Sequence, residues 1–330
     1  MTAPLLDVRD LTVRFPGPTG PIEAVSGVSF DVRAGETLAV VGESGSGKSV
    51  SSLAVLGLLG GGRVTGGSIR FQGEELVGAD PERLRRLRGA DIAMIFQNPM
   101  SSLDPLFTVG DQIAEALRIH RPVSRRDARR RAVELLTEVG LPDPARRVRS
   151  YPHELSGGQQ QRVMIAMALA CEPALLIADE PTTALDVTVE AQILDLLRRA
   201  QRDHGTALLF VTHDMGVVAE MADRVLVMYA GRVVEQGPVR EVLRDPRNPY
   251  TRALIESIPT PATPRDLPMP AIPGNVPHPS DLPGGCRFHP RCPAALDRCA
   301  TEEAPLHALA PGRTSRCWRH VPAEEVARAG

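Results

Sequence analysis

The 330-residue sequence contains no stretch approaching the ~18 uncharged apolar residues that a membrane span needs. The longest candidate, Ser52–Gly62, stops short and breaks on glycines. The opening MTAPLLDVRD is acidic and lacks a long apolar core, which excludes a secretory signal. These absences predict a cytosolic chain. If it works at a membrane, it docks on a protein embedded there. A basic surplus is missing too. Lys and Arg number 38 against 40 Asp and Glu, a net charge of -2, so the sequence lacks the electrostatic footprint of a dominant nucleic-acid binder. The arginine-rich stretch Arg125–Arg131 carries no interleaved aromatics for base stacking and reads as the solvated face of an amphipathic helix. No internal repeat is present, and the body of the chain holds a single cysteine, Cys171.

What is present has the ordinary balance of a folded domain, 42% hydrophobic and 24% charged. The length exceeds what one compact core usually needs, so a large domain with a smaller appendage is expected. Residues 1–97 read as strands and turns with one early helix, SVSSLAVLGLL, after the apolar strand ETLAVVG. From about 98 to 165 the pattern is helical: VGDQIAEALRIH and SRRDARRRAVELLTEVGL both space apolar residues by three and four, the second capped by Ser124. Strands return at ALLIADE and ALLFVTHD around the helix DVTVEAQILDLLRRAQRDHG, and this alternation predicts a mostly parallel α/β sheet. VLVMYAGRVVEQG predicts a hairpin turning at Ala230-Gly231. A helical stretch ends near Ile258, and the proline-studded segment Pro259–Pro283 should run extended to a cysteine-bearing tail.

Three motifs carry chemistry. Gly42-Glu43-Ser44-Gly45-Ser46-Gly47-Lys48-Ser49 fits G-x-x-x-x-G-K-[ST] between an apolar strand and a helix. Glycines let the backbone curl so that N–H groups face phosphate oxygens, and the helix adds the positive end of its dipole. Lys48 supplies a flexible charge for the β/γ-phosphates, and Ser49 a hydroxyl for Mg²⁺. The strand Leu175–Ala178 ends in Asp179-Glu180 at the carboxyl edge of the sheet. Asp179 is placed to hold Mg²⁺ and Glu180 to act as general base for the attacking water. The bland alternative is that the pair merely starts the PTTALD turn. The third motif, Leu155-Ser156-Gly157-Gly158-Gln159-Gln160-Gln161-Arg162, opens a long helix with another anion nest. Two nests beside one phosphate loop point to a second nest that serves another molecule's nucleotide.

LSGGQQQR resembles the signature of ABC ATPases, in which two cassettes sandwich two ATPs, each between one subunit's phosphate loop and the other's signature. The resemblance implies a P-loop NTPase ABC cassette, a RecA-like core plus a helical subdomain at about 98–165. It assigns Ser44, Gly45, Ser46, Gly47, Lys48 and Ser49 to ATP and Mg²⁺, and Ser156, Gly157, Gly158 and Gln159 to the partner's nucleotide. Gln97 matches the family's Q-loop glutamine, which senses Mg²⁺ and the membrane partner. His213 matches the switch histidine at the γ-phosphate, and Asp186 the D-loop at the dimer interface. Phe15, upstream of the phosphate loop, is the candidate for stacking on adenine; a Phe at a strand end is also commonly core.

FQNPMSSLDP, RVMIAMALACEPALLIADEPTTALDVTVEAQIL and FVTHDMGVVAEMADRVLVMYAGRVVEQGP are similar to the ATPases of oligopeptide/dipeptide importers, their D-type subunit. NPYTRALIESIP and IPGNVPHPSDLPGGCRFHPRCPAALDRC are similar to that branch's C-terminal extension. The resemblance divides the chain into a cassette, 1–245, and a small irregular extension, 246–330. It implies a peripheral protein on the cytoplasmic face of the inner membrane. Its partners would be a second ATPase subunit, expected to be a distinct paralogue, two transmembrane permease subunits and an extracytoplasmic solute-binding protein, with no nucleic acid. The cargo, a peptide or a nickel complex, is not written in an ATPase that never touches it.

Cys286, Cys292, Cys299 and Cys317 form C-x5-C-x6-C-x17-C. In a reducing compartment such a cluster points to a metal or cofactor before disulfides. Four thiolates gathered by loops suit a [4Fe–4S] cluster or tetrahedral Zn²⁺, and the branch resemblance implies the iron–sulfur cluster. Zinc stays open because His289 and His320 lie among the cysteines, and so does a set of reduced, unliganded thiols. A structural staple for a tail with little core of its own is the expected role. Two rival functions stand beside the importer: a soluble ABC ATPase acting on nucleic acid or ribosomes, and a metal-cluster regulatory protein whose cassette is only a switch.

Overall fold

The structure, a computed structural model, describes residues 3–18, 20–98, 102–183, 185–258 and 271–321. Strands β1 (Leu6–Phe15), β2 (Ile22–Val32) and β3 (Thr37–Val41) are followed by helix α1 (Lys48–Val55), strands β4 (Arg63–Phe71) and β5 (Glu74–Glu75), helix α2 (Pro81–Leu87) and strand β6 (Ile92–Ile95). A helical run holds α3 (Val109–His120), α4 (Arg125–Glu138), α5 (Pro144–Arg147) and α6 (Gly157–Leu169). Then come β7 (Leu175–Asp179), α7 (Val187–His204), β8 (Ala207–Thr212), α8 (Met215–Met221), β9 (Arg224–Tyr229) and β10 (Arg232–Pro238). Helices α9 (Val239–Arg244) and α10 (Pro249–Glu256) and the short strands β11 (His307–Ala310) and β12 (Arg313–Ser315) follow, with short 3-10 turns in the tail at His289–Arg291, Asp297–Ala300 and Trp318–His320. They gather into two units, one built mainly on residues 78–211, the other on 6–31, 38–77 and the described residues from Thr212 onward.

In the first unit β6, β7 and β8 pair in parallel, with Ile95 beside Ala178 and Asp179 beside Val211. Every residue of β7 is buried, as a parallel strand covered on both faces requires. The helices form where caps and spacing coincide. Thr108 accepts the Asp111 N–H at the start of α3, and Ser124 accepts the Asp127 N–H at the start of α4. Ala128, Ala132, Leu135 and Leu136 line the buried stripe of α4. Its arginines face outward, where Arg129 pairs with Asp111, Arg130 with Asp127 and Arg131 with Glu138. The expected solvated face is therefore borne out. Helix α2 is a second early helix that the hydrophobic pattern alone does not announce. Its signal is local: Asp80 accepts the Glu82 N–H, and Pro81 takes the first helical position, where its missing N–H costs nothing.

In the second unit β2, β1, β4 and β5 form an antiparallel sheet in that order. Strand β3 runs parallel to β9, and β9 turns into β10 at Ala230 and Gly231, both left-handed with φ of 44° and 82°. That is the expected hairpin. Asn248 caps α10 and is itself buried, its amide donating to the Val234 and Arg316 carbonyls. The tail extends the sheet: β12 pairs with β10 at Gln236–Thr314 and Glu235–Ser315, and β11 pairs with β12. Residues 271–283 contain neither helix nor strand; the rest of the predicted extended segment, 259–270, lies outside the described residues.

Candidate nucleotide site

The phosphate loop leaves β3 through Gly42, whose φ is 150°. A Cβ there would sit 2.1 Å from the Met228 carbonyl oxygen, and one at Gly47 (φ 94°) would sit 2.8 Å from that of Ala24. Both positions therefore require glycine, for conformation and for space. The Gly231 N–H donates to the Ser46 carbonyl and the Ser26 N–H to that of Gly231, both at 2.9 Å, so the loop is braced against the hairpin turn. Lys48 opens α1 and is buried; its Nζ donates to the Gly42 carbonyl at 2.7 Å and the Glu43 carbonyl at 3.0 Å. Ser44 and Gly45 are exposed at the crest of the loop, Ser46 is buried and Ser49 half-buried. The same unit holds Phe15 and His213. Phe15 is half-buried, its ring so close to Gly62 that a Cβ there would approach it to 2.6 Å. His213 is exposed just after β8, beside Asp214, which caps α8 by accepting the Gly216 and Val217 N–H groups.

In the other unit Asp179 ends β7 almost wholly buried, and Glu180 follows in the left-handed region at φ 47°. Such a backbone is strained for a residue with a Cβ, and the Glu180 N–H to the Val211 carbonyl holds it at 2.9 Å. The Glu180 carboxylate accepts Gln97 Nε2 at 2.8 Å and Thr183 Oγ1 at 3.0 Å. The structure thus brings together two residues that the sequence reading treats separately. Ser156 caps α6, accepting the Gln159 N–H, while the Gln159 side chain accepts the Ser156 N–H. Gln160 donates to the Pro152 and Leu155 carbonyls, and Gln161 to the Pro181 carbonyl, which ties the signature helix to the turn after Glu180. Ser156 and Gly157 are exposed, and nothing stands within 4 Å of where a Gly157 Cβ would lie. Asp186 caps α7, accepting the Thr188 and Val189 N–H groups.

In the tail the four cysteines surround one cavity, which Arg287, Arg316 and Trp318 also line. No disulfide joins them. Burial pushes the Cys286 thiol up to about 11 and raises those of Cys292 and Cys317. The Cys299 sulfur accepts the Leu296 N–H at 3.4 Å. Among the described residues, no three or more His, Cys, Asp or Glu side chains are gathered as the ligands of a metal ion would be. His320 instead contacts the Arg247 carbonyl and His289 the Cys286 carbonyl. The sequence reading missed Arg291 and Tyr250, which reach the phosphate loop through Glu43. An acidic residue inside an anion-binding loop was the signal that could have prompted a search for them.

No helix among the described residues is long and apolar enough to cross a membrane. Residues 25–183 match the ABC transporter family, and residues 234–299 match the oligopeptide/dipeptide transporter C-terminal region. The dipeptide transport ATP-binding protein DppD of Escherichia coli K12 is 50% identical over 98% of this chain and 98% of its own. The oligopeptide transport ATP-binding protein OppD of Mycobacterium tuberculosis H37Rv is 52% identical over 96% of this chain and 52% of its own. The dimeric ATP-binding cassette MJ0796, solved in a post-hydrolysis state with ADP and Pi, matches 71% of this chain and 99% of its own with a TM-score of 0.65 and 29% identity. With identity at this level over nearly the whole length, the chain belongs to the ABC transporter ATP-binding proteins that carry the oligopeptide/dipeptide transporter C-terminal region.

Proposed function

We propose that the chain energises uptake of di- or oligopeptides, or of a related solute such as a nickel complex, by binding and hydrolysing ATP on the cytoplasmic face of the inner membrane. The observation that carries this reading is the pair of anion nests: a phosphate loop laced by Lys48, and the turn at Ser156–Gly158, open at Gly157. In the proposed cycle Ser44–Ser49 cradle the phosphates of ATP, and Phe15 lies under adenine. Ser49, Gln97 and Asp179 offer the hydroxyl, amide and carboxylate oxygens that suit Mg²⁺, which neutralises phosphate charge when bound. Glu180 polarises water and His213 orients it at the γ-phosphate. Ser156, Gly157, Gly158 and Gln159 cover the nucleotide of a second ATPase subunit, a distinct paralogue, with Asp186 at the interface. ATP then acts as adhesive between cassettes and hydrolysis as release. Two permease subunits and an extracytoplasmic solute-binding protein complete the assembly.

The division into a cassette, 1–245, and an extension, 246–330, follows from the same reading and is supported by the second family match, at residues 234–299. For the extension the proposed group is a [4Fe–4S] cluster held by Cys286, Cys292, Cys299 and Cys317. Four thiols lining one cavity, with Arg287 and Arg316 beside them, supply the donor type and the positive surroundings that would suit such an anionic cluster. Tetrahedral zinc on the same thiols is the alternative. When bound, the cluster would cross-link the tail.

Affinity purification of the native complex tests the function. Recovery of permeases and a second cassette is expected; recovery of ribosomes or nucleic acid in their place refutes the importer.

A further inference from the structure

A glutamate in a phosphate-binding loop is an electrostatic liability, because its charge opposes that of the nucleotide. Here Glu43 occupies that position and is held at three points. Its carbonyl accepts Lys48 Nζ at 3.0 Å, its N–H donates to Tyr250 Oη at 2.8 Å, and its carboxylate accepts both terminal nitrogens of Arg291 at 2.8 and 2.9 Å. Arg291 belongs to the tail, next to Cys292, and its side chain is only 5% exposed. All five of its N–H donors have acceptors. Nε serves the Pro273 carbonyl, one terminal nitrogen serves Glu43 and Tyr229 Oη, and the other serves Glu43 and the Ile272 carbonyl. The guanidinium also lies over the Tyr229 and Phe288 rings, which pack with Tyr250. A group so completely engaged has one geometry, and it delivers a full positive charge to the only acid in the loop.

We propose that Arg291 and Tyr250 are positioning residues for ATP: the C-terminal extension neutralises Glu43 and fixes the loop, so that nucleotide affinity depends on the tail being correctly folded. This rests on the phosphate loop being the ATP site. The two ideas fail differently. If the wild-type protein does not bind ATP at all, the site assignment falls; if it binds and the variants bind equally well, the tail's role falls.

The experiment measures dissociation constants of fluorescent ATP and ADP analogues on the full chain, with thermal unfolding in parallel. Arg291→Gln leaves Glu43 bare and is expected to weaken ATP binding about ten-fold, ADP less, with a loss that shrinks in high salt. The double variant Glu43→Gln/Arg291→Gln removes both charges and is expected to recover to within about three-fold of wild type, although its melting temperature stays lowered. A purely structural staple would not produce that rescue. Tyr250→Phe removes only the hydroxyl and is expected to weaken ATP about three-fold; it keeps the test available if Arg291→Gln does not fold. Unchanged affinity in both Arg291→Gln and Tyr250→Phe, or a double variant no better than the single, would overturn the proposal.

Discussion

Replacing Glu180 by Gln isolates the chemistry assigned to that carboxylate because an amide can keep both of the side-chain hydrogen bonds accepted at Oε2. Gln97 Nε2 and Thr183 Oγ1 both donate to the same oxygen, Oε2, at 2.8 and 3.0 Å. An amide oxygen can take that place and accept both bonds. The strained backbone at φ 47° is held by the main-chain bond to Val211, which the side chain does not touch. Stability should therefore stay within about 0.5 kcal/mol, under about 2 °C in melting temperature. What is lost is the ability to take a proton. Removing a general base costs about 10²–10⁴ in rate, or roughly 2.7–5.4 kcal/mol of barrier. The assay is phosphate release by the assembled complex, with light scattering to follow the cassettes in ATP. Slow turnover with normal ATP binding and an accumulated closed dimer is the expected result. Near-normal turnover would show that another group activates water.

Three further outcomes follow from the packing. Gly42→Ala would press a Cβ against the Met228 carbonyl, 2.1 Å away in the unrelaxed backbone, so isothermal titration should find ATP binding weakened more than about ten-fold. Asn248→Ala removes the cap of α10 and the side-chain donor to the Arg316 carbonyl, while the Val234 carbonyl keeps the Arg316 N–H at 2.8 Å. It should cost about 2–3 kcal/mol, seen as a fall of several degrees in thermal unfolding. Protein purified without oxygen should carry iron, labile sulfide and a broad visible absorption that Cys292→Ser diminishes; colourless, iron-free protein would remove the cluster.

Much of this molecule is legible along the chain because its chemistry is local. The phosphate loop, the strand ending in Asp179-Glu180 and the capped helices at Thr108, Ser124 and Ser156 are each written in a few consecutive residues. Helix α2 was missed where the signal was a cap, Asp80-Pro81, and not an apolar stripe. The contacts that sequence could not give are those with long separation. The Gln97–Glu180 bond spans 83 positions and the Arg291–Glu43 pair 248, and no periodicity encodes either. The pairing of β12 with β10, which makes the tail part of the cassette's sheet, is of the same kind.

The central claim, that ATP hydrolysis by this chain drives peptide uptake, meets its most direct test in vesicles. The permeases, both cassettes and the binding protein would be reconstituted with ATP and Mg²⁺ on the cassette side and a labelled dipeptide on the other. The account predicts accumulation of the label that stops when Glu180→Gln replaces the wild-type subunit. Uptake that is indifferent to ATP, or no uptake of any peptide by a complex that hydrolyses ATP normally, would contradict it.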